Sequence, residues 1–422
     1  MKKKTWLMTG VALSSAFLLA ACGNGGDKGS NTKQTTGDKT GTITVWSAFS
    51  GPDLENYQKT INRYNDTNPA YKVKMVPMKA DTLKQKLTTA GKSGKGLPDI
   101  AELASEQLPY YKDLGVLDSW DSLIKDSDIN AKQYVPAAWE IGTLDGKQYG
   151  VPDKMDTWVM YYNKDLVDKY ASGALDDGIV TYAEVEKAGE AAKKDGIYAT
   201  SNDWASQNFM NIYLQMGGKW RDGDGKFNID NKTAKKAWGE WKNLYSKGYV
   251  VPSGKDAVKA FMNGKVIFNP EGTWMLSQYQ EIKDFEWGET LTLQWDENKV
   301  VNASGAGQFA IFKTNDGRSK NLEKGMVDFL TWLQSNQDEI VKSGANPTSL
   351  AMQDNEAYTK LPQSFLVTDE KAQKAITINT DPGMSPFMTA FDPKGMDMLD
   401  GKADINDTFT KIQQTVESQI AK

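Results

Sequence analysis

Histidine is absent from this sequence of 422 residues, and cysteine occurs only once, as Cys22. Without histidine, the chain has no Ser-His-Asp or Cys-His centre for nucleophilic catalysis, and it lacks zinc sites of the usual His/Cys kind. We therefore expect no metal and no cofactor, and an enzyme built on this chain would depend on carboxylate, lysine or tyrosine side chains. Arginine is also scarce, which disfavours a phosphorylated ligand, because phosphate sites usually gather arginines or lysines. The three arginines are Arg63, Arg221 and Arg318.

The chain also lacks a basic segment beyond its first residues, and its formal net charge is −5. Nucleic acid is therefore not an expected partner. After the apolar run near the amino terminus, no second run approaches the roughly 18 apolar residues of a membrane-spanning helix. The sequence therefore predicts no further membrane segment.

The amino-terminal residues resemble an export signal. Lysines at 2–4 precede a short apolar run at 11–21, an order typical of a cleaved signal peptide rather than a spanning helix. The sequence LAAC at 19–22 resembles a bacterial lipobox, which implies a signal peptide over 1–21 and acylation of Cys22. The alternative is an ordinary signal peptide with an unrelated cysteine near its end. The lipobox interpretation anchors the protein at the outer face of the cell membrane, in a bacterium that we expect to be Gram-positive.

The segment 22–41 is rich in small and polar residues and contains no large apolar side chain. Such a segment buries too little surface to offset the entropy of ordering, so we expect a flexible tether. About 380 residues follow it, which is enough for two domains of about 150 residues each.

The first part of the folded chain shows an alternation of strands and helices. Strand patterns occur at 42–49, 71–78 and 97–103, and helical spacing occurs between them at 53–66 and 81–92. This order predicts a parallel sheet, whose ligands lie beyond the carboxyl ends of the strands. The loops Trp46–Ser50 and Leu103–Gln107 are therefore expected at the rim of a site.

Later segments continue the α/β pattern. Thr181 and Glu184 have the spacing of a capping box at a helix start. Helical patterns cover 207–216, 232–247, 255–263, 321–335 and 407–420, and strands are predicted at 264–269 and 307–313.

The acidic segment RDGDGKFNID at 221–230 has residues of the kind found in calcium-binding loops. Counted from Asp222, the fifth, sixth and twelfth positions of an EF-hand loop would be Lys226, Phe227 and Thr233, which do not fit. We interpret this segment as a Gly-Asp hairpin turn.

The segment KQYGVPDKMDTWVMYYNKDLVDK at 147–169 resembles the signature region of family 1 extracellular solute-binding proteins of carbohydrate ABC importers, a maltose-binding-protein-like family. Other segments match in the family's order along nearly the whole of 42–420. They are LPDIAEL at 97–103, GVLDSWDSLI at 115–124, MGGKW at 216–220, FMNGKVIFNPEGTW at 261–274 and SGAGQFAIFK at 304–313.

The resemblance implies an α/β, two-lobed periplasmic-binding-protein-like fold, with parallel-rich sheets flanked by helices and a hinge of two or three chain crossings. Carried onto this sequence, the crossings are expected near 153–157, 297–303 and 344–351. One lobe would contain 42–153 plus 303–345, and the other would contain 157–298 plus 350–422.

Thirteen tryptophans and seventeen tyrosines are many for a soluble chain. A sugar presents hydroxyls, which suit carboxylates and amides, and C–H faces, which suit flat aromatic rings. The resemblance places Trp274 and Asp156 among ligand contacts and points to Phe387 and Phe391 as a stacking segment. The expected ligand-binding residues are Trp46, Glu106, Asp156, Trp158, Trp204, Asn208, Glu271, Trp274, Gln308 and Phe387, with Gln107 as a weaker candidate.

Each of these residues also has a structural interpretation. The tryptophans could fill the core, and the acids and amides could be solvated loop residues. Asp53 is expected to cap the first helix, while Trp238 and Trp241 are expected in packing positions.

The leading hypothesis is a lipid-anchored receptor that captures a carbohydrate, an oligosaccharide, by hinge closure and delivers it to an ABC permease. Its partners would be the sugar, the permease subunits and the membrane through Cys22, and the receptor would be a monomer. One alternative is a secreted glycoside hydrolase that uses carboxylates, with Asp156 and Glu271 as a candidate pair. Another is an ABC receptor for a non-sugar solute such as a polyamine.

Overall fold

The computed structural model describes residues 39–295 and 297–420. The predicted signal peptide, the predicted lipidation site Cys22 and the predicted tether up to residue 38 lie outside the described residues. Among the described residues, no helix combines the length and the hydropathy needed to cross a bilayer.

The described chain alternates strands and helices throughout. The strands are β1 Gly41–Ser47, β2 Tyr71–Pro77, β3 Ile100–Leu103, β4 Leu117–Asp118, β5 Thr143–Leu144, β6 Lys147–Gln148, β7 Gly150–Asn163, β8 Tyr198–Thr200, β9 Val266–Gly272, β10 Trp287–Leu291, β11 Asn302–Phe312, β12 Asn346–Pro347 and β13 Ile376–Ile378.

Nineteen α-helices lie in the described part of the chain, several of them a single turn. They are α1 Gly51–Asp66, α2 Ala80–Ser93, α3 Gln107–Asp113, α4 Asp121–Ile124, α5 Pro136–Gly142, α6 Lys164–Tyr170, α7 Tyr182–Ala192, α8 Ala205–Gln215, α9 Lys232–Ser246, α10 Ala257–Met262, α11 Leu276–Tyr279, α12 Lys320–Leu333, α13 Asp338–Val341, α14 Leu350–Gln353, α15 Glu356–Thr359, α16 Phe365–Thr368, α17 Glu370–Ala375, α18 Met384–Leu399 and α19 Ile405–Ile420.

The predicted βαβαβ arrangement at the start of the chain is confirmed. Strand β1 pairs in parallel with β2 on one side and with β3 on the other. Helix α1 follows β1, and Pro52 in its first turn has the fixed φ angle that a helix start favours. Its apolar side chains Tyr57, Ile61 and Tyr64 recur at helical spacing and are buried against the sheet.

One continuous sheet connects the molecule in the order β2-β1-β3-β11-β7-β9-β8. Its ends are parallel, whereas β11 runs antiparallel to both β3 and β7. Strand β7 changes partner partway along. Its residues up to Thr157 pair with β11, and its residues from Trp158 onwards pair with β9.

The hydrophobic core is divided at this change of partner. One large cluster is built from residues between Ile43 and Val151 together with Phe309 to Ala345, and we call this part the first lobe. The other is built from residues between Met160 and Leu293 together with Met384 to Val416, and we call this part the second lobe. Trp238 and Trp241 are buried in that second cluster, as predicted.

Local sequence signals explain two further elements. The predicted capping box is present: the Thr181 hydroxyl accepts the Glu184 N–H at 3.3 Å, and the Glu184 carboxylate accepts the Thr181 N–H at 2.8 Å. The segment 221–230 forms a turn closed by an antiparallel bridge between Arg221 and Phe227. In that turn Asp222 Oδ1 accepts the Asp224 N–H at 2.9 Å, which agrees with the turn interpretation.

Candidate functional site

Two adjoining cavities lie between the lobes, and we call them together the cleft. The smaller has a volume of about 160 Å³ and the larger a volume of about 490 Å³. The two cavities share five lining residues, which are Glu102, Ala104, Glu106, Asp156 and Trp274.

The sheet topology explains why the first lobe presents loops to the cleft. Ala104, Ser105 and Glu106 follow β3, and Ala48 to Ser50 follow β1, so both loops leave the carboxyl ends of parallel strands. This placement agrees with the rim positions expected for the two loops. The second lobe contributes Gln207 and Met210 of α8 to the opposite wall.

Three tryptophans of the second lobe form a cluster at the cleft. The ring centroids of Trp158 and Trp274 are 5.0 Å apart, and those of Trp204 and Trp274 are 5.5 Å apart. Their ring planes lie at 85° and 80°, the edge-to-face geometry that aromatic quadrupoles favour. Trp158 and Trp274 line the cleft, and Trp204 is 37% exposed beside them.

Neighbouring groups hold these rings in place. Trp204 donates its indole N–H to Glu271 Oε2 at 2.7 Å, so Glu271 orients a tryptophan instead of facing a ligand. Burial raises the pKa of Glu271 to about 8. The ring of Trp158 lines the smaller cavity, and its indole nitrogen is buried and has no hydrogen-bond partner among the described residues.

An ion-pair cluster forms the floor of the larger cavity. Lys154 Nζ lies 2.6 Å from both carboxylate oxygens of Asp156 and 3.4 Å from Asp53 Oδ2. Burial alone lowers the pKa of Lys154, but the two carboxylates more than offset this and raise it. Lys154 is therefore charged, and it fixes Asp156 where the carboxylate can accept hydrogen bonds from hydroxyls.

Two glutamates complete the acidic lining. Glu102 and Glu106 border both cavities, and burial raises the pKa of each carboxyl. Lys84 lies near Glu106 and lowers its pKa in part. Hydroxyl-rich ligands suit this combination, because carboxyl groups accept hydrogen bonds while the indoles cover C–H faces.

The structure brings several of the predicted site residues together. Glu106, Asp156, Trp158 and Trp274 line the cleft, and Gln107 lines its larger cavity. Trp204 lies against two of the lining tryptophans. These residues stand as candidates for ligand contact.

The structure places Phe387, Phe391 and Gln308 in the protein interior and outside the cleft lining, contrary to expectation. Both phenylalanines are 0% exposed on α18 and pack around Phe209 in the core of the second lobe. Gln308 is also fully buried and donates its amide N–H to the Ala138 carbonyl at 3.1 Å.

The structure also places Asn208 and Trp46 outside the cleft lining. Asn208 is buried and donates to Asn202 Oδ1 at 2.7 Å, whereas Gln207, one residue earlier on α8, lines the smaller cavity. Trp46 packs against an apolar cluster of the first lobe, with Lys86 Nζ 5.7 Å from its ring centroid.

Asp53 was expected to cap α1, and this expectation is wrong. Ser50 occupies the cap position, and Asp53 lies in the first turn, where it pairs with Lys154 and lines the larger cavity. Lys154 itself was missed, although a sequence signal existed. Residues two apart on a strand share a face, so Lys154 necessarily lies beside Asp156.

The candidate hydrolase pair is also not supported by this geometry. Asp156 is held by Lys154, and Glu271 is buried and holds Trp204. The two carboxyls therefore do not form a free pair facing a shared bond.

Comparison with known proteins identifies the family. A model of bacterial extracellular solute-binding proteins matches residues 59–366. The arabinooligosaccharide-binding protein of Bacillus subtilis is 25% identical over 221 residues, which are 50% of this chain and 49% of that protein. The chain thus spans about half the length of that relative. The maltodextrin-binding protein of the same organism is 27% identical over 297 residues, 64% of each chain.

Solved structures show the same fold. An ABC substrate-binding protein of Listeria monocytogenes in complex with cycloalternan has a TM-score of 0.75 at 19% identity, covering 90% of this chain and 99% of that chain. The GacH receptor of Streptomyces glaucescens, solved without ligand and with acarbose, has a TM-score of 0.75 at 18% identity with the same coverage. The two-lobed fold implied by the sequence resemblance is thereby confirmed. Because the family model matches more than half of its residues, this chain belongs to the bacterial extracellular solute-binding proteins, a family of binding proteins and not of enzymes.

Proposed function

We propose that this chain is a lipid-anchored receptor that captures a carbohydrate, an oligosaccharide, by hinge closure and delivers it to an ABC permease. One observation carries this proposal. The indoles of Trp158 and Trp274 and the carboxyls of Asp156 and Glu106 face one cleft, and the two lobes both contribute to it. Apolar rings beside fixed acceptors are what a sugar with C–H faces and hydroxyls requires.

The named relatives support the same class of ligand. Arabinooligosaccharide and maltodextrin binders are among the similar proteins, and similar structures were solved with cycloalternan and acarbose. The cleft of this chain adds its own support, because a second cavity extends beyond the tryptophans towards Phe49 and Pro52. An elongated cleft of this kind accommodates more than one sugar ring.

The hinge is proposed at the crossings near 153–157, 297–303 and 344–351. At the first crossing, the pairing partner of β7 changes from β11 to β9. At the third crossing, Asn346–Pro347 of β12 pairs with Met155 and Lys154 of β7. The lobes would then be 42–153 plus 303–345, and 157–298 plus 350–422. A ligand that contacts both lobes binds the closed state more tightly, and only this difference shifts the equilibrium towards closure.

Binding is tested by calorimetric titration of the purified chain with arabino-, malto- and galacto-oligosaccharides and with glucosamine oligomers. We expect one of these classes to bind without chemical change. With that ligand, Trp274→Ala is expected to bind at least about tenfold more weakly, since an aromatic anchor of the site is lost. Trp332→Ala is the matched control, because Trp332 packs near Tyr64 on the first lobe and does not line the cleft. Failure of every sugar to bind, or recovery of cleaved sugar, contradicts the proposal.

The lipid anchor is tested separately. Expressed in a bacterium that lipidates exported proteins, the chain is expected in the membrane fraction with an acylated amino-terminal cysteine detectable by mass spectrometry. Cys22→Ser is expected to release it to the medium, because a lipid chain supplies the hydrophobic free energy of anchoring. If the wild-type protein lacks the added mass of an acyl group, the proposed lipid anchor is contradicted, and the sugar-binding proposal still stands.

A further inference from the structure

The floor of the cleft contains more acidic groups than its single ammonium can neutralise. Four carboxyls, those of Asp53, Glu102, Asp153 and Asp156, act electrostatically on one another around Lys154. Lys154 is 3% exposed, and its nitrogen is in contact with Asp156 and Asp53. The other two carboxyls, of Glu102 and Asp153, are therefore the surplus.

These two carboxyls flank one wall of the smaller cavity, at Gly307. A Cβ atom built at Gly307 would lie 2.7 Å from Glu102 Oε1 and 3.6 Å from Asp153 Oδ2. Glu102 is 8% exposed and lines both cavities, whereas Asp153 is 0% exposed and lies one layer deeper. Asp153 Oδ1 accepts the Tyr57 hydroxyl, but Asp153 Oδ2 has no hydrogen-bond partner among the described residues.

A buried carboxylate without a counter-ion is costly, and the cost is relieved either by a proton or by a cation. Without a cationic ligand, protonation relieves this cost. Burial, followed by the charge of Asp153, raises the pKa of Glu102. Burial also raises the pKa of Asp153 to about 7. A ligand that brings its own positive charge to Glu102 replaces that proton and gains a charge-assisted hydrogen bond.

The surrounding groups favour a protonated amine over a metal ion as the cation. Among the described residues, no group of three or more His, Cys, Asp or Glu is arranged to hold a metal ion. A protonated amine needs only separate acceptors, and it is also stabilised near the face of an indole such as Trp158, which lines the same cavity. Among the described residues, Lys154 is the one basic residue that lines either cavity, and it is already paired, so the cavity lining offers no free counter-ion to an anionic sugar.

We propose that the cleft takes a carbohydrate carrying a protonated amine, an amino sugar, and that Glu102 is the specificity-determining residue that accepts a hydrogen bond from this amine. This inference rests on the proposed function, which supplies the carbohydrate. To that function the inference adds a positive charge on the ligand and Glu102 as the residue that recognises this charge.

The test compares three probes by calorimetric titration of the full chain in neutral buffer: glucosamine oligomers, their N-acetylated counterparts of equal length, and spermidine. The N-acetyl group removes the positive charge while the sugar backbone is retained. Glucosamine oligomers are expected to bind at least about tenfold more tightly than the acetylated ones, since a hydrogen bond between charged groups is added.

Glu102→Gln is expected to abolish this preference, because the amide keeps the shape of the side chain and loses its charge. Glu289→Gln is the matched control: Glu289 also has buried carboxyl oxygens but lies on β10 of the second lobe, outside both cavity linings, so the preference is expected to persist. The wild-type comparison of charged and acetylated oligomers decides the question even where a variant folds poorly.

The outcomes separate this inference from the proposed function. The proposal of an amine-bearing ligand is overturned if the acetylated oligomers bind equally or more tightly. It is also overturned if only neutral arabino-, malto- or galacto-oligosaccharides bind. Both outcomes leave the proposed carbohydrate receptor standing. Binding of spermidine with no sugar bound overturns the carbohydrate assignment, and the amino sugar with it. A preference for the amine that survives Glu102→Gln overturns the role of Glu102.

Discussion

The ammonium nitrogen of Lys154 lies 2.6 Å from each carboxylate oxygen of Asp156, two residues further along β7. The lysine is buried, whereas the Asp156 side chain is 30% exposed, so the ion pair extends from the interior to the surface of the cleft. Lys154 also reaches Asp53 on α1 at 3.4 Å. One ammonium thus connects the central strand to a helix of the first lobe and orients a carboxylate that lines the cleft.

Removal of this ammonium is expected to destabilise the fold. Lys154→Met leaves Asp53 and Asp156 without their counter-ion at a mostly buried position, and loss of one partner of such a cluster costs about 3 kcal/mol in the free energy of unfolding. Urea unfolding followed by tryptophan fluorescence measures the change.

The matched control is Lys164→Met. Lys164 Nζ lies 3.2 Å from Glu286, and both side chains are well exposed, so water and salt screen the pair. Its loss is expected to cost less than about 1 kcal/mol. Equal losses for the two variants would show that Lys154 carries no special electrostatic role.

Local patterns predicted the elements of this fold well, because each depends on neighbouring residues. The alternation in TITVWSAF predicted β1, and the spacing of Tyr57, Ile61 and Tyr64 predicted the buried face of α1. Thr181 and Glu184 predicted their capping box in the same way. The antiparallel pairing of β11 with β3 and β7 joins residues far apart in sequence, and no local pattern encodes it.

The site was predicted less completely, because the direction of a side chain depends on tertiary packing. Phe387 lies on a helix whose face turns it into the core, and Asn208 differs from the lining residue Gln207 by a single step of α8. Glu102 lies within the short apolar strand IAEL, where an acid gives no sign of a cavity until β11 and Gly307 are placed beside it.

Gly272 is expected to control the position of Trp274. A Cβ atom at Gly272 would lie 2.1 Å from Cη2 of the Trp274 ring, although the backbone φ of −84° suits any residue. Gly272→Ala therefore forces the ring to move, and we expect about tenfold weaker oligosaccharide binding with a loss of about 1 to 3 kcal/mol in stability from overpacking. Calorimetric titration and urea unfolding measure the two effects.

Gly223→Ala provides the control for this substitution, because no described heavy atom lies within 4 Å of a Cβ built there. Its affinity is expected to match the wild type. Wild-type affinity in Gly272→Ala would mean that the position of the Trp274 ring does not determine binding.

Glu289 is expected to make stability depend on pH. Burial raises the pKa of its carboxyl from 4.5 to about 8. The folded protein therefore retains a proton that the unfolded chain releases, and this group lowers stability as pH rises from about 4.5 to about 8. Replacement by glutamine removes the penalty, so the stability gain of Glu289→Gln over wild type should be roughly 3 kcal/mol larger at about pH 8 than at about pH 5.

Denaturant unfolding at the two pH values tests this dependence. Glu281→Gln, an exposed substitution on the same lobe, is expected to leave the pH profile of the wild type unchanged. A pH-independent difference between Glu289→Gln and wild type would show that Glu289 does not titrate in this range.

Lys84 is expected to stabilise the closed arrangement of the lobes. From α2 of the first lobe, it donates to Thr389 Oγ1 at 3.2 Å and approaches Ser385 Oγ at 3.5 Å, both on α18 of the second lobe. In the proposed hinge closure these contacts form as the lobes approach, so Lys84→Ala is expected to lower the population of the closed state and to reduce the apparent affinity by that factor. Loss of one net hydrogen bond corresponds to about threefold weaker sugar binding, and the change should lie mainly in a faster dissociation rate.

Lys92→Ala, exposed on the same helix, is the control and should leave the rate unchanged. Stopped-flow tryptophan fluorescence measures dissociation, and equal rates for Lys84→Ala and wild type would rule out a role for Lys84 in closure, because a contact confined to the closed state must slow its opening.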